Sequence, residues 1–300
     1  MKKKILIAGG TGLLGNAVRE ELLLKGHEVR ILTRNQEKIN QEGFFHYNMK
    51  ENQIDDKSID QLDVLINLAG ANVIEKPWTI DRKHVLKESR IGLNHFLLNV
   101  LKKAGQKPEL VISASAVGIY GDGGDKIINE QSGPGAESFI VNLCKEWENS
   151  AEDFSELGSR VVLARISNVI SRTDGFFPKI MESTKFGLLP VLGNGRQYVS
   201  WIHIDDLSGL VSHCIQNKTI AGAVNFCTQN AVRYEALVQT IKRVKRKSWI
   251  SPKTPKIALK LMLGERAHLL FDSLRCQPQK ALDNGFTFQF PDLRSAIESL

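Results

Sequence analysis

Gly9, Gly12 and Gly15 are spaced three residues apart in the segment GGTGLLG. The segment follows the apolar run KILIA and precedes NAVREELLLKG, whose apolar residues recur at helical spacing. Glycine suits such a strand-to-helix turn because the turn needs positive φ and a pyrophosphate must approach bare backbone. Free N–H groups at the helix start then favour the phosphate charge. We predict a dinucleotide site that also includes Thr11, Leu13 and Leu14; a tight turn without a ligand is the alternative.

The second apolar run, VRILTRN, ends with Thr33 and Arg34. A site for NAD usually has Asp or Glu about 20 residues past the turn, where the carboxylate holds the ribose hydroxyls. Arg34 stands nineteen residues after Gly15, and this strand end has no carboxylate. A guanidinium pairs well with a 2′-phosphate, so the sequence predicts NADP(H) as the cofactor. The alternative is that Arg34 is an ordinary surface charge.

Short β-branched runs alternate with segments of helical period along the first half of the chain. This alternation predicts an α/β fold, a Rossmann-type doubly wound parallel sheet with helices on both faces. From about Gly175 the pattern loosens into Gly- and Pro-rich loops. We therefore expect a dinucleotide-binding domain over residues 1–170, to whose sheet some later segments return, and a smaller, irregular substrate-binding and C-terminal region over 171–300. The predicted strands and helices are Lys4–Ala8, Glu28–Thr33, Asp63–Leu68, Leu110–Ser113 and Arg160–Ala164, and Asn16–Lys25, Lys83–Lys103 and Ser138–Leu157.

The composition is that of an ordinary globular protein, with 42% hydrophobic and 24% charged residues among 300. The net charge is +7, but the sequence has no stripe of basic residues interleaved with aromatic ones. This pattern does not favour a nucleic-acid-binding protein. The four cysteines are widely separated, and no metal-ligand spacing occurs, so no metal site is predicted. No run is long and apolar enough for a signal peptide or a membrane span, so we expect a cytoplasmic protein.

Further motifs extend over almost the whole chain. They are, besides GGTGLLG, NLAGANV (67–73), KPW (76–78), KESRIG (87–92), SASAVGIYG (113–121), LCKEWE (143–148), GNGRQYVSWIHIDDL (193–207), LGE (263–265) and NGFTFQFPDL (284–293). In this order they resemble the extended short-chain dehydrogenase/reductases, and within them the YfcH-like nucleotide-sugar epimerase family with its characteristic C-terminal region. The resemblance is specific for a family and much less so for a substrate.

The resemblance implies roles for several residues at strand ends. Leu68, Ala69 and Gly70 are similar to the segment that lines the adenosine-ribose side of the dinucleotide. Ser115 resembles the active-site serine at the end of the next strand.

Two later segments contribute further predicted contacts. Asn168 and Ile170 resemble the loop that meets the nicotinamide amide. Arg196 and Gln197, in a glycine-flanked loop, are predicted substrate contacts, because a guanidinium binds an anionic group such as phosphate.

The chain departs from the superfamily at one catalytic motif. Most members use a Tyr-x-x-x-Lys pair, in which nearby positive charge lowers the phenol's pKa for proton exchange near neutral pH. None of the four tyrosines here has a lysine four residues later. In the expected helix, Lys145 would be paired with Val141, and the other frame gives Phe139 and Leu143.

Three interpretations of this departure stay open. Tyr120, five residues after Ser115, is a candidate proton donor, although packing is its commoner role. Glu148 or the pair Asp205 and Asp206 are candidate acids or bases, although such carboxylates more often serve structure. The third interpretation is a fold that binds NADP(H) with little or no turnover.

The sequence therefore predicts an NADP(H)-dependent oxidoreductase or epimerase-like enzyme, in which Ser115 orients a carbonyl or hydroxyl near the nicotinamide. The expected partner is a small, anionic or sugar-nucleotide-like substrate, with no nucleic acid and no membrane, and a homodimer stays open. The alternative is a non-catalytic NADP(H)-binding sensor or scaffold protein. Fold alone does not identify the substrate.

Overall fold

A computed structural model describes residues 2–300. Its strands, in chain order, are β1 (Lys4–Ala8), β2 (Glu28–Thr33), β3 (Phe44–Asn48), β4 (Gln53–Ile54), β5 (Val64–Asn67), β6 (Leu110–Ala116), β7 (Ile127–Ile128), β8 (Arg160–Ile166), β9 (Asn168–Ile170), β10 (Val191–Leu192), β11 (Tyr198–Val199), β12 (Trp201–His203), β13 (Gly222–Phe226), β14 (Val232–Arg233), β15 (Lys253–Thr254) and β16 (Arg275–Cys276).

The helices alternate with the strands in the first half of the chain and dominate the C-terminal region. They are α1 (Leu13–Leu24), α2 (Ile80–Lys87), α3 (Leu93–Lys103), α4 (Phe139–Glu152), α5 (Phe176–Met181), α6 (Ile204–Gln216), α7 (Tyr234–Lys245), α8 (Lys256–Leu263), α9 (His268–Phe271), α10 (Gln279–Asp283) and α11 (Leu293–Glu298). A π-helical turn, Glu88–Gly92, joins α2 to α3.

The main sheet has eight strands in the order β13-β8-β6-β5-β1-β2-β3-β4. All neighbours are parallel except the short edge strand β4, which is antiparallel to β3. The order reverses between β1 and β5, as in a doubly wound sheet. The predicted fold class is confirmed. Strand β13, from the second part of the chain, returns to this sheet.

Apolar side chains cover both faces of the sheet, as expected for parallel strands that read as continuous hydrophobic runs. One face packs against α1 and α6, and its cluster includes Ile7, Val18 and Leu210. The other packs against α3 and the segment after α4, through Leu65, Leu97 and Phe154 among others.

A separate hydrophobic cluster forms the core of the C-terminal region. It surrounds the fully buried Trp201 with side chains from α7 and α11, among them Val238 and Ile297. The basic residues that end α7, Lys242, Arg243 and Lys245, are partly or fully exposed. No helix within residues 2–300 has the length and apolar character needed to cross a membrane.

Candidate functional site

The strand register brings the predicted site residues to one edge of the sheet. Ala8 of β1 pairs with Leu32 of β2 and with Asn67 of β5, so the segments that follow these three strands leave the sheet side by side. Asn67 pairs in turn with Ser113 of β6. This carboxyl edge, at the reversal of strand order, is where open α/β sheets bind their ligands.

The three glycines of the first turn have different structural reasons. Gly9 has φ +81°, and a Cβ there would lie 2.7 Å from the backbone N of Ala69. A Cβ at Gly15 would lie 2.3 Å from the carbonyl oxygen of Gly9. Gly12 has an ordinary extended backbone, and its Cβ would meet only the Gly9 oxygen at 3.5 Å. The fold therefore requires glycine at positions 9 and 15 but leaves space beside Gly12.

The start of α1 is open at this turn. Gly12 is the N-cap residue, and no side chain caps the helix. Thr11 and Gly12 are exposed, whereas Leu13 and Leu14 are half-buried. The first N–H groups of a helix have no partner within it, and the helix dipole adds partial positive charge there. The turn can therefore hold an anionic group against bare backbone.

Arg34 directly follows β2 and is exposed. None of the ion pairs among residues 2–300 includes its guanidinium, whereas Arg30 of the same strand is paired with Glu28. The next side chain, Asn35, accepts the N–H of Glu37 and so shapes the segment after the strand. Arg34 is therefore available to an anion at the edge of the sheet.

Leu68, Ala69 and Gly70 follow β5 and touch the glycine turn through the close approach of Ala69 to Gly9. Leu68 and Ala69 are half-buried and Gly70 is exposed. The buried Asn67 side chain supports the segment by accepting the N–H of Ala69 and donating to Asn94 of α3. The structure therefore brings these predicted cofactor residues together with the glycine turn.

Ser115 lies in a network of paired side chains, which we call the buried polar cluster: Ser115, Tyr120, Glu148, Arg165 and Asn225. The Ser115 hydroxyl donates to Glu148 Oε1 at 2.6 Å. Arg165 binds both carboxylate oxygens of Glu148, through Nε and Nη2, at 2.8 Å each. All five side chains are less than 10% exposed. Sequence reasoning considered Glu148 but missed Arg165 and Asn225, because strands distant in sequence supply them.

Tyr120 closes this cluster. Its hydroxyl accepts from Arg165 Nη1 and donates to Asn225 Oδ1, both at 2.8 Å. Burial raises the pKa of Tyr120 far above its usual value, although the Arg165 charge opposes this shift. A phenol that already makes two hydrogen bonds, and whose pKa is raised, is poorly suited to exchange a proton at neutral pH. The geometry favours the structural alternative for Tyr120.

Burial also acts on the other charges of the cluster. It lowers the pKa of Arg165, but the hydrogen bonds and charge of Glu148 outweigh it and raise the net value. The carboxylate and guanidinium therefore form a bidentate ion pair.

Helix α4 carries the position where the superfamily places its acid-base pair. Val141 is buried and Lys145 is exposed, and the position four residues before Lys145 is this valine and not a tyrosine. The hydrophobic cluster around Val141 includes Val117 and Ile119 from the turn after β6. The same cluster contains Tyr120, the one phenol among residues 2–300 that packs in it, and its hydroxyl is bound by Arg165 and Asn225.

The segment after β8 uses its polar groups within the protein. Both the backbone N–H and the side-chain amide of Asn168 donate to the carbonyl of Ser200. Ile170 is fully buried in the C-terminal hydrophobic cluster. Their predicted contact with nicotinamide would therefore involve the backbone or the remaining amide oxygen of Asn168.

A cavity of about 950 Å³ lies between the turn after β6 and the C-terminal region. Arg196 lines it and is exposed. Three more cations and three carboxylates share the lining, and Arg233 is paired with Asp125: Arg233, Lys253, Lys256, Asp122, Asp125 and Glu235. Gln197 also lines the cavity, but its amide donates to the carbonyls of Leu192 and Leu270. Arg196 is therefore open to a ligand, whereas the Gln197 amide nitrogen holds the loop.

Asp205 and Asp206 lie in the first turn of α6, which begins directly after His203, the last residue of β12. Asp206 is buried and accepts the N–H groups of Gln289 and Phe290. His203 is also buried, lies 3.1 Å from the Ser299 hydroxyl and accepts the N–H of Asp205. These side chains connect the C-terminal segment to the sheet edge. Within residues 2–300, no cluster of His, Cys, Asp and Glu is arranged to hold a metal ion.

A doubly wound sheet with this glycine turn and a C-terminal region over its carboxyl edge defines the extended short-chain dehydrogenase/reductase class. The chain belongs to the NAD dependent epimerase/dehydratase family, whose sequence profile matches residues 5–226. A domain of unknown function, DUF1731, matches residues 254–300. The sequence-based family resemblance is confirmed.

Curated relatives match over nearly the full length. Epimerase family protein YfhF of Bacillus subtilis is 33% identical over 298 residues, covering 99% of this chain and 97% of that protein. Epimerase family protein SSP1921 of Staphylococcus saprophyticus is 31% identical over 301 residues, with 99% of both chains covered.

Two solved structures extend the comparison. Human epimerase family protein SDR39U1 (isoform 2), solved with NADPH, has a TM-score of 0.86 at 25% identity and 98% coverage of both chains. A nucleoside-diphosphate sugar epimerase from Corynebacterium glutamicum has a TM-score of 0.78 at 28% identity. That match covers 99% of this chain and 57% of the bacterial one.

Proposed function

We propose that the protein is an NADP(H)-dependent oxidoreductase or epimerase-like enzyme. The space beside Gly12 carries this proposal. The fold itself does not need a glycine there, yet a side chain at this N-cap would fill the place where the helix start is open. A pyrophosphate approaching bare backbone explains this glycine.

Arg34 is the proposed partner of the 2′-phosphate. It is exposed at the end of the second strand and has no carboxylate partner among the described residues. NADPH in the human relative's structure supports the same choice, whereas other neighbours of similar fold were solved with NAD. The Gly9–Gly15 turn and Leu68, Ala69 and Gly70 would hold the remainder of the dinucleotide.

The bound dinucleotide would supply hydride chemistry, and the chain would position the substrate. The Ser115 hydroxyl already donates a hydrogen bond to Glu148, so only its oxygen is left, as an acceptor for a substrate hydroxyl. Because Ser115 is 2% exposed, only a group that reaches the floor of the crevice would touch it. Arg196, beside the 950 Å³ cavity, would bind an anionic or sugar-nucleotide-like part of the substrate.

A specific observation favours a second candidate, a non-catalytic NADP(H)-binding sensor or scaffold. The acid-base positions of the superfamily hold Val141 and Lys145 in one frame and Phe139 and Leu143 in the other, and neither frame has a tyrosine. Tyr120 is committed to Arg165 and Asn225. A protein with this arrangement would bind the dinucleotide and turn over slowly or not at all.

One experiment separates the two candidates. The protein is purified, any retained dinucleotide is identified by mass, and NADPH oxidation is screened against carbonyl compounds and sugar nucleotides. Turnover by the wild type and none by a folded Gly12→Asp variant supports the enzyme. NADPH binding without turnover of any compound supports the sensor, and absence of dinucleotide binding overturns both.

A further inference from the structure

One segment of the C-terminal region accounts for all of the chain's net positive charge. Residues 236–264, which we call the basic segment, contain eight Lys and Arg and no Asp or Glu. The rest of the chain has 32 Lys and Arg against 33 Asp and Glu. Such a charge asymmetry indicates an anionic partner for this part of the molecule. The eight cations are Lys242, Arg243, Lys245, Arg246, Lys247, Lys253, Lys256 and Lys260.

The structure leaves most of these charges at the surface. Six of the eight side chains are exposed, and only Lys242 and Lys245 are half-buried. None of the ion pairs among residues 2–300 includes a cation of the basic segment. Their charge is therefore available to a partner outside the chain.

The acids of the neighbouring elements compensate only part of this charge. Lys253 and Lys256 face the carboxylates of the 950 Å³ cavity, so they are set aside here. Glu182 shares its turn after α5 with Lys185. The bordering acids that already have a cation partner are Glu265, with Lys83, and Glu298, with Arg294. The excess of positive charge lies at the exposed cations away from the cavity, which are Arg243, Arg246, Lys247 and Lys260.

Exposed apolar side chains accompany these cations. Within residues 2–300, eleven large hydrophobic side chains are exposed, and six of them lie in the basic segment or directly beside it. Leu188 forms a β-bridge with Ile250, whose N–H donates to the carbonyl of Gly187, so residues 186–188 lie against the basic segment. Single exposed apolar side chains are ordinary, but a group of them marks an interaction surface. The six are Phe186, Leu188, Ile250, Ile257, Leu261 and Met262.

Helix α8 has apolar residues on the face that points away from the protein. Its half-buried residues are Leu259 and Leu263, one turn apart, so their face lies towards the protein. The helical repeat of about 3.6 residues places Ile257 and Leu261 on the opposite face, where they are 74% and 83% exposed. A surface helix of a globular protein usually has charged residues there. An outward apolar row beside Lys260 is typical of a helix that lies in a lipid interface.

Two features favour a bilayer over other partners. A second copy docked by two-fold symmetry would bring the same patch of both subunits together, cations against cations. Single-stranded nucleic acid is bound on aromatic stacking platforms beside cations, whereas Trp249, the one aromatic residue of the basic segment, packs on the C-terminal hydrophobic cluster. Fluid acyl chains accept aliphatic side chains that project from separate elements, and none of the six lines the 950 Å³ cavity.

We propose that the basic segment docks the protein on the surface of an anionic lipid bilayer. Ile257 and Leu261 enter the boundary between headgroups and acyl chains, and the exposed cations lie beside the headgroups. Surface docking needs no membrane-spanning helix. The proposal therefore replaces the expectation of no membrane partner, which considered only runs long enough to span a bilayer. It does not depend on which dinucleotide the protein binds.

The test measures binding of the full chain to lipid vesicles by flotation. One set of vesicles is phosphatidylcholine alone, and the other contains phosphatidylcholine and phosphatidylserine in equal parts. The wild type should bind the acidic vesicles at least 10-fold more tightly, because each cation near an anionic surface contributes roughly five-fold in affinity. Added salt should weaken this binding.

Two variants separate the charges from the apolar side chains. Arg243→Gln combined with Lys247→Gln and Lys260→Gln should weaken binding to acidic vesicles by about 100-fold. Ile257→Ser combined with Leu261→Ser keeps every charge and should weaken it by about 10-fold or more, because the apolar side chains no longer enter the bilayer. All five positions are exposed, so both proteins should keep the wild-type melting temperature.

Matched controls place the same changes on other surfaces. Lys103→Gln combined with Lys107→Gln and Lys218→Gln removes three exposed cations elsewhere and lowers the net charge equally. Leu24→Ser removes an apolar side chain that is 85% exposed at the end of α1. Both controls should bind acidic vesicles within about two-fold of the wild type, because these positions lie outside the basic segment.

The outcomes decide between a bilayer and other partners. Equal binding to both kinds of vesicle, or no binding to either, overturns the proposal. So does an equal loss in the two triple variants, because general electrostatic attraction would then explain the binding. Undiminished vesicle affinity in folded Ile257→Ser, Leu261→Ser also overturns it, in favour of a polyanion such as nucleic acid or an acidic protein.

Discussion

The glycine turn and the buried polar cluster lie at the same edge of the sheet, yet the polar groups of the turn lack partners and those of the cluster have them. At the turn, the start of α1 has no side-chain cap and space beside Gly12. In the cluster, the charged groups of Glu148 and Arg165 have partners within the chain. An open, unpaired region is suited to bind a ligand, whereas a closed one is suited to fix strands β6, β8 and β13 relative to α4. The difference separates binding residues from supporting ones.

The largest expected effect is the loss of dinucleotide binding in Gly12→Asp. The backbone at position 12 is extended, and a Cβ there has only ordinary contacts, so the variant should fold. Aspartate is also a favoured N-cap and would satisfy the N–H groups intended for phosphate. We expect no measurable NADPH binding by calorimetry and an unchanged or raised melting temperature.

Gly15→Ala is the matched control for this turn. Its Cβ would lie 2.3 Å from a carbonyl oxygen, so it should lose stability instead. Undiminished NADPH affinity in folded Gly12→Asp would remove the proposed phosphate site.

The next effect concerns the stability of the cluster. Glu148→Gln keeps the shape of the side chain but leaves Arg165 buried without a counter-charge. Breaking a buried ion pair in this way costs about 3–5 kcal/mol, which urea unfolding can measure. Tyr120→Phe keeps the pair and removes two hydrogen bonds, so its loss should be smaller, about 1–3 kcal/mol.

NADPH affinity should be retained in both cluster variants under conditions in which they are folded. A Glu148→Gln protein as stable as the wild type contradicts the structural role that the comparison assigns to the cluster.

Ser115 lies where the two regions meet, and its removal shows whether the cluster also serves turnover. Any activity should depend on Ser115 more than on Lys145, which has no tyrosine four residues before it. Loss of the acceptor that orients the reacting hydroxyl should lower kcat/KM by about 10²-fold or more in Ser115→Ala, because a misplaced substrate reacts far more slowly.

Lys145→Met should be near normal in the same assay. If Lys145→Met loses most of its activity and Ser115→Ala keeps it, the prediction that turnover depends more on Ser115 than on Lys145 is wrong. NADPH affinity of both variants serves as the control for a general loss of the site.

The smallest effect is the choice of cofactor at Arg34. A hydrogen bond to a charged group contributes roughly 1.5–3 kcal/mol, so Arg34→Leu should weaken NADPH by about 10- to 100-fold. NADH has no 2′-phosphate and should change little. Because the contact is exposed, added salt should weaken NADPH more than NADH in the wild type. An equal loss for both cofactors, or a wild-type preference for NADH, would mean that Arg34 does not select the cofactor and that the assignment of NADP(H) must be withdrawn.

The sequence predicted the regions whose structure is local. Strands β1 and β2 have the predicted bounds, but α1 begins at Leu13 instead of the predicted Asn16, so Gly15 lies inside the helix. Helix period predicted one helix over 83–103, but the structure begins it at Ile80 and interrupts it with the π-helical turn that carries Arg90. Periodicity detects an apolar face but not one extra residue in a turn.

The buried cluster could not be assembled from spacing alone. Arg165 and Asn225 are adjacent to each other only because β8 pairs with β13. The sequence motif around Glu148 contains no sign of its partner, and a Tyr-Gly pair gives no indication of what the phenol binds. Pairings between distant strands depend on the complete sheet, so a local pattern does not contain them.

The C-terminal contacts have a consequence for how the chain is made. A ribosome that has reached residue 226 has completed every strand of the main sheet. At that stage Asn225 has no Gln277 carbonyl to bind, and the buried carboxylate of Asp206 has no Gln289 or Phe290 N–H. The partners of these groups lie in the last quarter of the chain. Until that part is synthesised, this edge of the sheet stays uncovered, where it can bind chaperones or misassemble. A premature stop codon near the end would therefore damage the nucleotide-binding half, although it removes none of that half's own residues.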